Sequence, residues 1–342
     1  MSLLGYDGFD HYHVEADVYT RTGGIVWSPN GGGASLVSPG RNNYGQCLNA
    51  LAINVTANTT DSTMYVGFAL KLPGGLLIDF TDITTGDGQL HFQFISGTIN
   101  INLGSISGPS IGSAINVYPP ASSGSPWFFV EIGAFIDPSA GWITIRMNGQ
   151  QVFNVSGIKT TGGGVGWSTA VNEAKFSSSS FFIDDFYWNN SIADPGTYPC
   201  NTFNGDCRVF TAWPTGNDAV QWTPLAGLNW QEVSETQFDG DTTYNSTATV
   251  GQQDTFVFTA LAGTISRIIC VAVTAAYRKD NAGVCTVQSI VKSGASTGNG
   301  ASYAPGTNYG YWSDLYKHDP NGTIDWTLTA LNAMRAGYKR AT

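Results

Sequence analysis

The sequence predicts an all-β protein of two sandwich-like halves with a short helix near its C-terminus. Three observations carry this. Only 12% of the 342 residues are charged, while 13% are aromatic and 42 are glycine, a balance of strand formers and turn formers. Apolar or alternating segments recur about every ten residues between clusters of Gly, Pro, Ser and Asn, the rhythm of a sandwich or jelly roll. No segment of the first half has a helical period.

Strands are expected at 14–19, 46–55, 64–72, 91–94, 127–136, 142–147, 151–156 and 181–188. The clearest local signal is GWITIRMNGQQVFNVSG, two alternating runs around Asn148-Gly149, which supply the positive φ angles of a tight hairpin. NGGGASLVSPGRNNYG and YPPASSGSP read as loops, and neither opens a helix that would cradle phosphate. Turn formers then dominate NNSIADPGTYPCNTFNGD, so the chain divides into residues 1–195 and 196–342. The second half has strand candidates at 208–212, 242–250, 254–261, 266–277, 285–292 and 309–316. TLTALNAMRAG closes the pattern as a short helix, with Leu328, Leu331 and Met334 on one face and Gly337 after it.

The net charge of −10 comes from scarce Lys and Arg, and without a basic run nucleic acid is excluded as a partner. The N-terminus has no secretory pattern, and no apolar run reaches membrane-spanning length, so membrane insertion is not expected. Five cysteines without C-x-x-C spacing read as buried free thiols; Cys200 and Cys207 are close enough in sequence to close a small loop.

SFFIDDFYW places Asp184 and Asp185 inside the most aromatic run of the chain. On a regular strand neighbours point to opposite faces, so the two acids do not converge on one substrate atom. One face then carries Phe181, Ile183, Asp185 and Tyr187, the other Phe182, Asp184, Phe186 and Trp188. Both are apolar, so the strand is covered on both sides, and Phe182, Asp184, Phe186 and Trp188 are the candidate assembly interface. No other constellation reaches the spacing that chemistry needs. The five glutamates, Glu15, Glu131, Glu173, Glu232 and Glu235, form no E-x-D-x-E, and there is no G-x-S-x-G elbow. His11 and His13 share a strand face without a third ligand. FDGDTTYNS, with Asp239, Asp241 and the later Asp254, lacks the full calcium loop. Neither a catalytic residue, a metal nor a cofactor is expected. Trp213, Trp222, Trp230 and Trp312 are candidate ligand-stacking aromatics, set against the core role such residues more often have.

GRNNYGQCLNA, YVGFALKL, the ITIRMNGQQVFNVSG hairpin and FIDDFYW together resemble the concanavalin A-like lectin, or laminin-G-like, jelly roll. DGFDHY and NTFNGDCRVFTAWPTGNDAVQWTPLAGLNWQEV extend the similarity to virion proteins of tailed bacteriophages that add a β-rich C-terminal module. The resemblance implies a non-enzymatic structural protein on the particle surface, as tail appendage, tail fibre or capsid decoration. It would fold in the host cytoplasm and assemble with other virion proteins and with copies of itself. A glycan-binding adhesin that recognises the host surface is the alternative, and a polysaccharide depolymerase the third reading. The loop Asp and Asn clusters by which those lectins hold metal and sugar have no residue-by-residue counterpart here.

Overall fold

Alternating side chains and turn chemistry give the first half thirteen strands among its described residues. In chain order they are β1 (Leu3–Asp7), β2 (Ile25–Pro29), β3 (Ala34–Val37), β4 (Cys47–Ala57), β5 (Thr63–Lys71), β6 (Leu76–Asp82) and β7 (Asp87–Ile95). Then come β8 (Thr98–Leu103), β9 (Ser110–Ala114), β10 (Phe128–Phe135), β11 (Gly141–Met147), β12 (Gln150–Ile158) and β13 (Glu173–Asn190). The computed structural model describes residues 3–342 except 13–14, 20–24, 32, 120–125, 164–166, 194–199, 237 and 323–324.

The long strand β13 organises this half. Its first part, Glu173 to Ser178, runs between β4 and β6, and from β6 the sheet continues through β7, β8 and β9. Past an irregularity between Ser177 and Phe181, its second part pairs with β5 and β1, and from β5 the order continues through β10, β11 and β12. One strand thus serves two layers that face each other. Rings from opposite layers meet across the core: Phe68 of β5 lies 5.4 Å from Phe176 of β13, and Phe80 of β6 lies 6.4 Å from Trp188. The result is an all-β protein whose N-terminal half is a jelly-roll sandwich of two antiparallel layers.

The Asn148-Gly149 turn joins β11 to β12, with φ angles of 49° and 79°. Elsewhere the structure revises the expected elements. A strand was expected over 14–19, but a single helical turn, α1 (Glu15–Val18), forms there. The glycine-rich loop around residue 35 contains β3, which pairs with β4.

The second half holds β14 (Pro214–Ala219), β15 (Thr223–Pro224), β16 (Asn245–Ser246), β17 (Gln253–Phe258), β18 (Val271–Tyr277) and β19 (Val287–Ser293). It ends with β20 (Ser296–Asn299), β21 (Gly310–Tyr316), the helix α2 (Leu328–Ala333) and β22 (Arg335–Arg340). A five-stranded sheet has the order β14-β17-β22-β19-β20, while β18 pairs with β21 and β15 with β16. Thr327 caps α2, its hydroxyl accepting from Ala330 N at 3.1 Å. Gly337, read as the helix stop, instead lies inside β22, where a Cβ would come within 1.9 Å of the Asp254 carbonyl oxygen. Residues 208–212 form no strand, and the strand expected over 242–250 is reduced to β16.

The expected division at 195/196 falls within 194–199, outside the described residues. From Cys200 onward the chain packs back on the jelly roll, where Cys200 joins Leu3, Ala69, Phe129 and Tyr187 in one buried cluster. Cys207 is a free thiol, as are Cys47 and Cys285. Among the described residues no helix is long and apolar enough to cross a membrane.

Candidate functional site

The acid pair of SFFIDDFYW sits on a β-bulge. Between Asp184, opposite Ala69, and Tyr187, opposite Gly67, β13 holds one more residue than β5, and Asp185 takes up the excess with φ 50°. The bulge reverses the alternation expected of a regular strand. Phe186 and Trp188 therefore join Phe181 and Ile183 in the jelly-roll core, all 0% exposed, and do not form an assembly face with Phe182 and Asp184. Phe182 lies outside that core, with the Lys71 ammonium 5.4 Å from its ring centroid. Tyr187 points the other way, over Gly67, where a Cβ would come within 2.1 Å of its ring.

The same bulge brings the two carboxylates to common partners. Asp184 accepts from the backbone N–H groups of Arg41 and Asp185, both at 2.8 Å. Asp185 accepts from Val209 N at 2.8 Å and pairs with Arg41 at 3.3 Å and Arg208 at 3.2 Å. The Arg41 guanidinium also reaches Asp206 at 2.7 Å. Beside it, Glu131 accepts from Tyr187 Oη at 2.6 Å and Gly205 N at 2.7 Å. Residues 204–209 of the same chain thus cover the second face of β13. With Asp184 5% and Asp185 2% exposed, this is a clasp closed to substrate.

Burial, and then the charge of Asp185, raises Asp184 to about 8. Burial also raises Asp185, and lifts Asp10, which accepts from Gln46 N and Thr211 Oγ1, to about 6. A carboxyl that holds its proton more tightly folded than unfolded favours the fold in acid, and this contribution is lost as pH rises through the folded value. The urea midpoint is therefore expected to fall between about pH 5 and about pH 8.5, less steeply in Asp10→Asn. A midpoint that climbs over this range contradicts the arrangement.

A different surface has the character of a binding site. On the outer face of the β4–β13–β6–β7–β8 layer, cross-strand register aligns one polar residue from each strand. The row runs Ser28, Asn54, Lys175, Asp79, His91, Asn102 and Ser110, from β2 through β9. The residues between them, such as Val55, Phe176, Ile78, Phe92 and Ile101, are buried in the core. His91 Nδ1 lies 2.5 Å from Asp79 Oδ1. Glu173 accepts from Thr81 Oγ1 at 2.6 Å and Asn54 Nδ2 at 3.1 Å, and pairs with Lys175 at 3.2 Å. Among the described residues, His91 Nε2 and Asn54 Oδ1 have no hydrogen-bond partner. At one end of the face Gln89 Nε2 donates to Ser168 O at 2.7 Å, and the neighbouring Trp167 is 42% exposed. At the other end Leu77, Gln93 and Ser177 line a hollow of about 410 Å³. Sequence reasoning passed over this face. The alternation in LLIDFTD and TININL is its local signal, but strand order is not local.

The four tryptophans of the second half divide. Trp222, Trp230 and Trp312 pack on one cluster with Phe256, Tyr277, Val287 and Tyr338; Trp213 is not part of it. Of the other sequence candidates, Asp241 pairs with Arg278 at 2.7 Å and Asp239 accepts from Thr243. His11 stacks on Tyr12 at 3.9 Å between ring centroids, and His13 lies outside the described residues.

Fold and face together define a jelly-roll protein with a polar sheet surface. No protein-family model matches the chain, and no curated protein matches its sequence. Among solved structures it is similar to the galectin LEC-6 of Caenorhabditis elegans, at 13% identity over 48% of this chain and 96% of that one, TM-score 0.28. A Bacillus subtilis protein of unknown function with a galectin-like fold is similar at 10% identity, over 54% and 98%, TM-score 0.33. So is the glycoside hydrolase family 131 catalytic domain of Coprinopsis cinerea, at 12% identity over 58% and 97%, TM-score 0.35. The fold assignment rests on the strand order described above.

Proposed function

We propose that the protein is a non-enzymatic, carbohydrate-binding protein displayed on a virion, and that the polar sheet face of its jelly roll holds a host-surface glycan. The observation that carries this reading is the row from Ser28 to Ser110, one polar side chain per strand across seven strands. Adjacent strands stand about 4.8 Å apart, so a linear glycan lying across them meets a new polar group at each strand. Amide, hydroxyl and imidazole groups both donate to and accept from sugar hydroxyls, and the exposed indole of Trp167 offers a surface to a ring's C–H groups. Both acids on the face are engaged, Asp79 by His91 and Glu173 by Thr81, Asn54 and Lys175, which supports binding without hydrolysis.

Display on a tailed-phage particle, as tail appendage, fibre or capsid decoration, is supported by the sequence segments similar to such virion proteins. Assembly with other virion proteins and with further copies of this chain belongs to the same reading. A glycan array of host-surface polysaccharides tests the site: binding is expected, and Trp167→Ala and Gln93→Ala should each weaken it about tenfold. An array without hits removes the carbohydrate reading. Reducing ends released from a bound polysaccharide, and lost in Asp79→Asn, would overturn the non-enzymatic one.

A further inference from the structure

We propose a second ligand site, in the C-terminal half and separate from the jelly-roll face, that takes a neutral sugar beside Tyr338. It begins with Asp254, which is 0% exposed and accepts from Gln221 N at 2.7 Å, Trp222 N at 2.9 Å and Asn229 Nδ2 at 2.9 Å. Tyr338 Oη donates to the same carboxylate at 3.4 Å, so β17 fixes both the Trp222 backbone and the Tyr338 ring of β22. Around that ring stand three others, with centroids 4.7 Å away for Trp222, 5.7 Å for Phe256 and 6.1 Å for Tyr277.

Two polar atoms of residues that line the cavity beside the Tyr338 ring remain unspent. Asn245 Nδ2 donates to Tyr338 Oη at 2.7 Å and to Asn229 O at 2.9 Å, which uses both its hydrogens and leaves Oδ1 as an acceptor. Among the described residues neither Asn245 Oδ1 nor Tyr277 Oη has a hydrogen-bond partner, and both atoms are buried, Tyr277 being 8% exposed as a residue. Trp222, Asn245, Phe256, Tyr277 and Tyr338 all line a cavity of about 1400 Å³.

Unpaired buried polar atoms are uncommon in folded proteins, and here they define what the cavity can take. An acceptor and a phenol beside stacked rings match a ligand with hydroxyl hydrogens on an apolar ring face. Most charges on the cavity wall are committed, and the exception among the described residues, Glu235 with its Oε2 unpaired, adds a further acceptor for hydroxyl hydrogens and disfavours an anion. Asp254 holds several donors, Arg278 pairs with Asp241 at 2.7 Å, and Arg340 donates to the Thr247 and Thr342 carbonyls. A neutral sugar, which offers hydroxyl hydrogens to these acceptors and an apolar ring face to the aromatics, therefore fits better than an anion. Burial also raises the Tyr277 phenol, which keeps its hydrogen available to donate.

The experiment titrates the full chain with maltohexaose, cellohexaose and chitohexaose, read by calorimetry and tryptophan fluorescence. At least one should bind, and Tyr277→Phe should lower its affinity about tenfold by removing one hydroxyl and no ring. Binding lost in Tyr277→Phe but kept in Trp167→Ala belongs to this site, whereas binding lost only in Trp167→Ala belongs to the jelly-roll face and overturns the proposal. Without sugar, Tyr277→Phe should be at least as stable as the parent, because it loses a hydroxyl that has no protein partner. Identical isotherms for parent and Tyr277→Phe overturn the proposal. So does a panel without binding, or a Tyr277→Phe chain that melts earlier than the parent.

Discussion

Arg41→Met is expected to destabilise the protein by about 3–5 kcal/mol, the cost typical of removing one partner from a buried ion-pair network. The substitution retains length and apolar stem, and its backbone N–H still serves Asp184. What disappears is the guanidinium that sits 3.3 Å from Asp185 and 2.7 Å from Asp206, with Phe129 5.3 Å beneath it. Arg208 alone then faces Asp185, beside a second buried carboxyl at Asp184. Urea unfolding followed by tryptophan fluorescence measures the loss, and limited proteolysis reports whether residues 204–209 lift first. A change under 1 kcal/mol would mean that the clasp does not hold the two parts together. Double replacement with Asp185→Leu should recover part of the loss, since it removes the stranded charge.

Trp188→Ala is the second large expectation, at about 3–5 kcal/mol, the range for truncating a fully buried large aromatic. Trp188 is 0% exposed and meets Phe80 of the facing layer at 6.4 Å, so its loss opens a cavity between the two layers. Phe182→Ala on the same strand should cost far less, because that ring lies outside the core and meets Lys71. The comparison separates two arrangements of one strand. On a regular strand Phe182 and Trp188 share a face and behave alike; with a bulge at Asp185 they do not. Equal effects in denaturant titrations would contradict the bulge.

That strand also shows how much of the fold is legible in residues alone. SFFIDDFYW reads as a strand apolar on both sides, and it is one, with Phe181 and Trp188 in the main core and Tyr187 in a second cluster. The bulge leaves no local mark, since Asp185 adopts φ 50° only because β5 holds Asp184 and Tyr187 in a fixed register. Asn148-Gly149 is different, as its positive φ angles are intrinsic to those residues and needed by the turn, so the hairpin is visible at once. Thr327 announces α2 for the same reason, whereas Gly337 misleads because β22 needs the space of a glycine against Asp254.

The candidate face divides along this line too. QLHFQFI and TININL state that His91, Gln93, Asn100 and Asn102 leave the core, because alternation is a property of each strand by itself. That Asp79 meets His91 and Lys175 meets Asn54 depends on which strands lie side by side. The sequence by itself determined the all-β character, the tight turns and the inward and outward choice along each strand, since these follow from short-range sterics and side-chain period. Only the tertiary structure decided the bulge, the clasp between Arg41 and Asp185, 144 residues apart, and the polar row across seven strands. Each is a contact between distant segments, and its energy exists only once the chain has closed the loops between them.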